Sequence, residues 1–137
     1  MSDKVFLDTN ILVYLHSFDE PRKRQTSTEL FSSFQCCTSV QALNEFCYVS
    51  IKKQRRSRDE IEQALRNICD ACQVSSISVT TMSHALKLHE TYGYQFFDCL
   101  MLASAIENGC TQIMTEDMSS GHIIEQKLTI RNPFKAL

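Results

Sequence analysis

The chain opens with a short apolar run, Val5-Phe6-Leu7, that stops at Asp8. Lys4 to Leu7 is too short for a helix and is rich in β-branched and aromatic side chains, so it reads as a buried strand. From Ile11 the spacing changes, and Ile11, Leu12, Tyr14 and Leu15 recur at helical intervals. Pro21 fits the first turn of a second helix carrying Leu30, Phe31 and Phe34. Residues 36–38 form a short strand. Thr38 with Gln41 matches a capping box and opens a helix that runs to about Lys53. Ser57 with Glu60 matches the same box, and behind it Ile61, Ala64, Leu65, Ile68 and Cys72 keep one helical face apolar.

Residues 74–79 alternate as a strand does. Thr81 is expected to cap a helix through Leu88, with Gly93 close to its end. Residues 99–106 are apolar nearly all round, which predicts a central, buried helix. Residues 110–115 and Leu128–Arg131 close the pattern as strands. Short strands alternating with helices imply an α/β fold, a short and mostly parallel sheet with helices on both faces. Neither a repeat nor a linker interrupts the pattern, so residues 1–137 read as a single compact domain, long enough for one core.

No stretch approaches the roughly 18 apolar residues of a membrane span. The first residues carry no export pattern, and seven cysteines without one read as reduced thiols. A cytoplasmic location is therefore expected. The net charge of −2 excludes a bulk polycation, yet eight of the 14 basic residues fall in two clusters. These are Arg22-Lys23-Arg24 and the run from Lys52 to Arg58. Such clusters suit either a solvated helix end or a phosphate backbone.

Four acids change the picture. Asp8, Glu45, Asp98 and Asp117 each stand in or beside an apolar run. Asp8 and the pair Glu116-Asp117 fall at expected strand ends, Asp98 opens the buried helix, and Glu45 lies inside another. In open parallel sheets ligands sit at the carboxyl ends of the strands, where these four acids are able to meet. Like charges about 4 Å apart repel by roughly 4 kcal/mol at an effective dielectric near 20, so acids gathered in a fold usually surround a cation. Each acid also has a plainer explanation. Asp8 and Asp98 suit helix caps, Asp117 suits a polar turn, and Glu45 shares an exposed helix side with Gln41, Tyr48 and Lys52.

Asp8-Thr9-Asn10-Ile11-Leu12-Val13-Tyr14 resembles the opening motif of PIN-domain nucleases. Leu43-Asn44-Glu45-Phe46 is similar to their second acidic element, and Tyr94-Gln95-Phe96-Phe97-Asp98-Cys99-Leu100-Met101-Leu102-Ala103 to the third. Thr115-Glu116-Asp117-Met118 resembles the fourth. Order and separation agree from about Lys4 to Phe134, with VapC-type toxins of bacterial toxin–antitoxin pairs the nearest kind. Cys99 stands where a small residue such as Ala is usual, and Phe97 where Trp is frequent; neither change removes an acid.

The resemblance implies a metal-dependent endoribonuclease using Mg²⁺, with Mn²⁺ able to substitute. It makes Asp8, Glu45, Asp98 and Asp117 both catalytic and metal-holding, and Thr9, Asn10 and Thr115 supporting or phosphate-contacting groups. It also implies an RNA substrate, a cognate antitoxin and a homodimer.

Three alternatives stand beside this reading. Cys69-Asp70-Ala71-Cys72 is one C-x-x-C, but no second pair or H-x₃₋₅-H completes a zinc site. An aspartyl phosphatase expects an acid two places after its nucleophile, where Asn10 stands, and a receiver expects an acidic pair at an early strand end. The non-enzymatic alternative is a catalytically silent PIN-fold scaffold that only binds proteins, against which the retention of all four acids speaks.

Overall fold

A computed structural model describes residues 3–135. The first strand, β1 (Lys4–Leu7), leads into α1 (Thr9–Leu15) and α2 (Pro21–Ser33). Next come β2 (Gln35–Ser39), α3 (Val40–Lys52), α4 (Arg58–Ala71) and β3 (Gln73–Ser75). The helices α5 (Val79–Tyr92) and α6 (Phe96–Glu107) precede β4 (Gln112–Met114), β5 (Ile123–Ile124) and β6 (Leu128–Arg131). The strands form one sheet in the order β3-β2-β1-β4-β6-β5. Every neighbouring pair is parallel except β5 and β6. The expected α/β fold with a mostly parallel sheet is the one observed.

Strand β1 is the axis of the sheet. It pairs with β2 through Val5↔Cys36 and with β4 through Phe6↔Ile113. Successive side chains of a strand point to opposite faces, and Val5, Phe6 and Leu7 are all fully buried. Both faces are therefore covered, as a parallel sheet requires. The expected central helix is α6, buried continuously from Cys99 to Ala105 and packed against α5 on one side and strands of the sheet on the other. Gly93 ends α5 in the left-handed region at φ 81, which lets the chain reverse into α6 without the penalty a Cβ would bring. Among the described residues no helix is long and apolar enough to cross a membrane.

Four local expectations need correction. Thr38 does not cap α3: its hydroxyl donates to the Leu7 carbonyl at 2.9 Å inside the sheet, and Ser39 caps Ala42 instead. The strand expected over residues 74–79 is only three residues long, because Ser78 caps α5 three residues earlier than Thr81 was expected to. Ser78 and Thr81 form a reciprocal box in which Thr81 is the third helical residue. Asp98 is not a cap, since Gln95 holds that position. The two-residue β5 was not anticipated. The box of Ser57 and Glu60 forms as expected.

Candidate active site

Asp8 is the first residue beyond β1, at the carboxyl end of the central strand. It does cap α1, its Oδ1 accepting the Thr9 N–H at 2.7 Å, but the cap uses only one oxygen. Oδ2 accepts the Thr115 hydroxyl at 2.7 Å, from just beyond the neighbouring strand β4. The side chain is 4% exposed. Burial dominates its electrostatics and pushes the carboxyl up to about 6, despite the lowering by Thr115 and Thr9; the charges of Asp117 and Asp98 add to the rise.

The other acids reach the same edge by different routes. Glu45, on α3, accepts the Thr9 hydroxyl at 2.7 Å. Asp117, in the turn after β4, accepts the Asn10 amide at 2.9 Å, while its own N–H donates to the Thr115 hydroxyl oxygen at 3.1 Å. Asp98 sits in the first turn of α6, half-buried, and its carboxyl is raised by burial first and then by Asp117 and Glu45. Thr9, Asn10 and Thr115 thus stitch three of the acids together, and the fourth is near enough to feel their charge. All seven residues singled out in the sequence lie at this edge. An open cleft there is lined by Gly93, Tyr94, Gln95, Asp98 and Asp117.

Among the described residues no cation pairs with the group. Among the described residues the ion pairs are Lys23–Glu116, Arg58–Glu62 and His84–Glu125, none of which involves these four acids. In addition, Asn10 Oδ1 is buried without a hydrogen-bond partner beside Asp117. Oxygen-only donors carrying uncompensated charge are what a hard divalent ion prefers, so the donor chemistry fits Mg²⁺ or Mn²⁺. Among the described residues no three His, Cys, Asp or Glu side chains form a ready-made ligand group. The fit is therefore to an ion that keeps much of its water shell and takes one or two carboxylates directly, as Mg²⁺ usually does.

Two arrangements were not legible beforehand. Glu116, adjacent to Asp117, is turned away from the cleft: it accepts the Tyr14 hydroxyl and pairs with Lys23 at 3.1 Å. Lys23 also lies 4.6 Å from the Tyr14 ring centroid, and the Phe134 ring meets Tyr14 edge-on. No local sequence signal joins residues so far apart. Two histidines bond to Tyr94, which lines that cleft: His89 meets its carbonyl and His122 its hydroxyl. Cys69 is exposed whereas Cys72 is buried, so the C-x-x-C pair does not present two thiols to one site.

A parallel sheet that delivers acidic side chains to its carboxyl edge defines an α/β domain of the ligand-at-strand-ends class. More narrowly, the chain belongs to the PIN domain family, whose model matches residues 5–119. The structure is similar to a toxin–antitoxin complex from Klebsiella pneumoniae, with a TM-score of 0.72 and 21% identity over 96% of this chain and 99% of that one. It is also similar to the sarcin–ricin loop cleaving toxin VapC20 of Mycobacterium tuberculosis (TM-score 0.64, 19% identity, 80% and 86% of the two chains). A third likeness is to VapBC2 of Rickettsia felis bound to a DNA fragment from its promoter (0.62, 20%, 94% and 99%). These likenesses bear on the fold. Comparison with curated protein sequences finds no significant match.

Proposed function

We propose that this protein is a metal-dependent endoribonuclease that hydrolyses RNA phosphodiesters, and that it is the toxin of a toxin–antitoxin pair. The observation that carries the reading is the edge where Asp8, Glu45, Asp98 and Asp117 gather with no ion pair to any cation among the described residues. PIN-family membership and neighbours described as toxin–antitoxin complexes support it. On this reading residues 1–137 act as one nuclease domain in the cytoplasm.

The four acids would hold Mg²⁺, or Mn²⁺ in its place, one or two of them directly and the others through its water shell. When bound, the ion supplies an activated water as nucleophile and polarises the phosphoryl group. The protein's own contribution is orientation. Thr9 fixes Glu45, Thr115 fixes Asp8, and Asn10 fixes Asp117, each through the hydrogen bond described above. Burial holds Asp8 partly protonated near neutral pH, so a cation that binds there displaces a proton. The antitoxin blocks the cleft by laying a basic side chain among the carboxylates. A homodimer would bury Val79, Met82 and Leu86, exposed apolar residues spaced along one face of α5.

The test is incubation of the purified protein with a mixed RNA pool in Mg²⁺, in Mn²⁺ and in chelator, beside Asp8→Asn and Asp98→Asn. Cleavage is expected only with the ion, and both variants should lose at least about a hundredfold of it, several kcal/mol of transition-state stabilisation. RNA left intact in all conditions, by a protein that also fails to bind Mn²⁺, would return the chain to the scaffold reading.

A further inference from the structure

The two basic clusters, distant in sequence, meet in the fold around one side chain. Phe18, in the turn between α1 and α2, is 80% exposed. The Arg56 guanidinium lies 5.1 Å from its ring centroid and that of Arg24 5.7 Å. Neither arginine is loose. Arg24 donates to the Ser17 carbonyl at 3.2 Å, and Arg56 donates to the His16 carbonyl and to Gln54. Two cations anchored on the two residues that precede it therefore lie against the exposed ring. Phe18, Asp19, Lys53, Gln54, Arg55, Arg56 and Glu60 line one open cleft.

The charge of that cleft is free. Lys53 and Arg55 form no ion pair among the described residues. Arg55 holds φ at 50, the left-handed region uncommon for a residue with a Cβ. The two acids of the cleft, Asp19 and Glu60, accept from the Ser17 hydroxyl and the Ser57 N–H and keep their charge, which leaves Lys53, Arg55 and Arg56 in excess by one.

The cleft is also connected to the carboxylate edge. Lys53 follows the last turn of α3, eight residues beyond Glu45, which places it about 12 Å away along the helix at 1.5 Å per residue. Between them Tyr48 and Lys52 are exposed on the same helical side as Glu45. A polyanion approaching four uncompensated acids gains nothing from them until a cation is bound, so it needs a cationic hold elsewhere. An aromatic face flanked by guanidinium groups, with free cations beside it, is the combination that stacks a base and neutralises its phosphates.

We propose that the Phe18 cleft is a docking site for single-stranded RNA. One unpaired base stacks on the Phe18 ring, Lys53 and Arg55 take adjacent phosphates, and the strand continues past Lys52 and Tyr48 to the carboxylates. This rests on the ribonuclease reading of the carboxylate edge.

The test is binding of a short fluorescein-labelled single-stranded RNA of mixed sequence, followed by anisotropy in chelator, in Asp98→Asn protein so that cleavage plays no part. Phe18→Ala should weaken binding about tenfold or more, whereas Phe18→Trp should bind within about twofold of the parent. The double variant Lys53→Ala/Arg55→Ala should reduce the slope of log affinity against log salt by about 1.4, or 0.7 per phosphate released. Melting temperatures of all variants report folding. Unchanged RNA affinity in correctly folded Phe18→Ala and Lys53→Ala/Arg55→Ala protein overturns the proposal. So does a loss confined to binding of poly-glutamate, which would mark the cleft as a protein-docking site. Wild-type protein that never cleaves RNA but binds it through this cleft would sink the nuclease reading and leave the cleft standing. Cleavage without any dependence of binding on the cleft would do the reverse.

Discussion

Replacing Asp8 by asparagine should make the protein more stable while disabling the proposed chemistry. In the native state burial carries the carboxyl from 3.8 to about 6. The folded protein therefore holds a proton that the unfolded chain has released between those values, and stability falls as pH rises through that window. Above pH 6 the accumulated penalty is about 3 kcal/mol, at ~1.4 kcal/mol per pH unit. The introduced asparagine keeps an oxygen for the Thr9 N–H but presents an amide to Thr115, losing one charge-assisted bond worth about 1–2 kcal/mol. The net gain is about 1–2 kcal/mol at pH 8, a rise of roughly 3–7 °C in melting temperature for a domain of this size. Towards pH 4 and below, the penalty shrinks to under about 1 kcal/mol and the sign should reverse, leaving the variant less stable by the bond it has lost. Thermal unfolding of both proteins from pH 4 to pH 8, in chelator, measures the difference directly. Equal stability at pH 8, or a difference that ignores pH, would refute the buried-charge argument. Added Mg²⁺ should close the gap by stabilising the parent alone, since it binds the native state.

Two further outcomes follow from the same contacts. Thr115→Val removes the donor to Asp8 and the acceptor for the Asp117 N–H from a fully buried position, and should cost about 1–3 kcal/mol in urea unfolding. Because Asp8 then loses its main stabilising hydrogen bond, its carboxyl rises further and the loss should be larger at pH 8 than at pH 5. Among the thiols, Cys69 is exposed, whereas burial pushes Cys36 up to about 12. A thiol-disulfide reagent should consume Cys69 first, and Cys69→Ser should abolish that fast phase.

The parts of the fold that could be read beforehand are those with a strong local signal. The run Val5-Phe6-Leu7 is apolar without alternation because both of its faces are covered, and the apolar stretch 99–106 marks the buried α6 for the same reason. Thr38 misled because a hydroxyl before a helix looks like a cap, and only the neighbouring strand shows that it serves the Leu7 carbonyl. The residues 74–79 misled because Val74, Ile77 and Val79 are β-branched and set among serines, as in a half-exposed strand, while Ser78 starts a helix. The four acids could be found singly, and Thr9, Asn10 and Thr115 were expected beside them, but which of these bonds which acid was not legible. Asn10 to Asp117 and Thr115 to Asp8 are pairings over 107 residues that no local pattern encodes. The meeting of Arg24 and Arg56 across Phe18 is invisible in the same way.

The long reach from Asp8 to Thr115 and Asp117 also bears on when a newly made chain completes its carboxylate edge. Three of the acids emerge from the ribosome well before β4, the strand that flanks β1 and brings Thr115 and Asp117 alongside. At roughly 5–20 residues per second, the 107 residues between Asp8 and Thr115 take about 5–20 s to synthesise. Until then β1 has an unpaired edge, and the carboxylate group lacks the residue that orients Asp8. The carboxylate edge is thus completed only when β4 docks beside β1, whatever the order in which its acids were made.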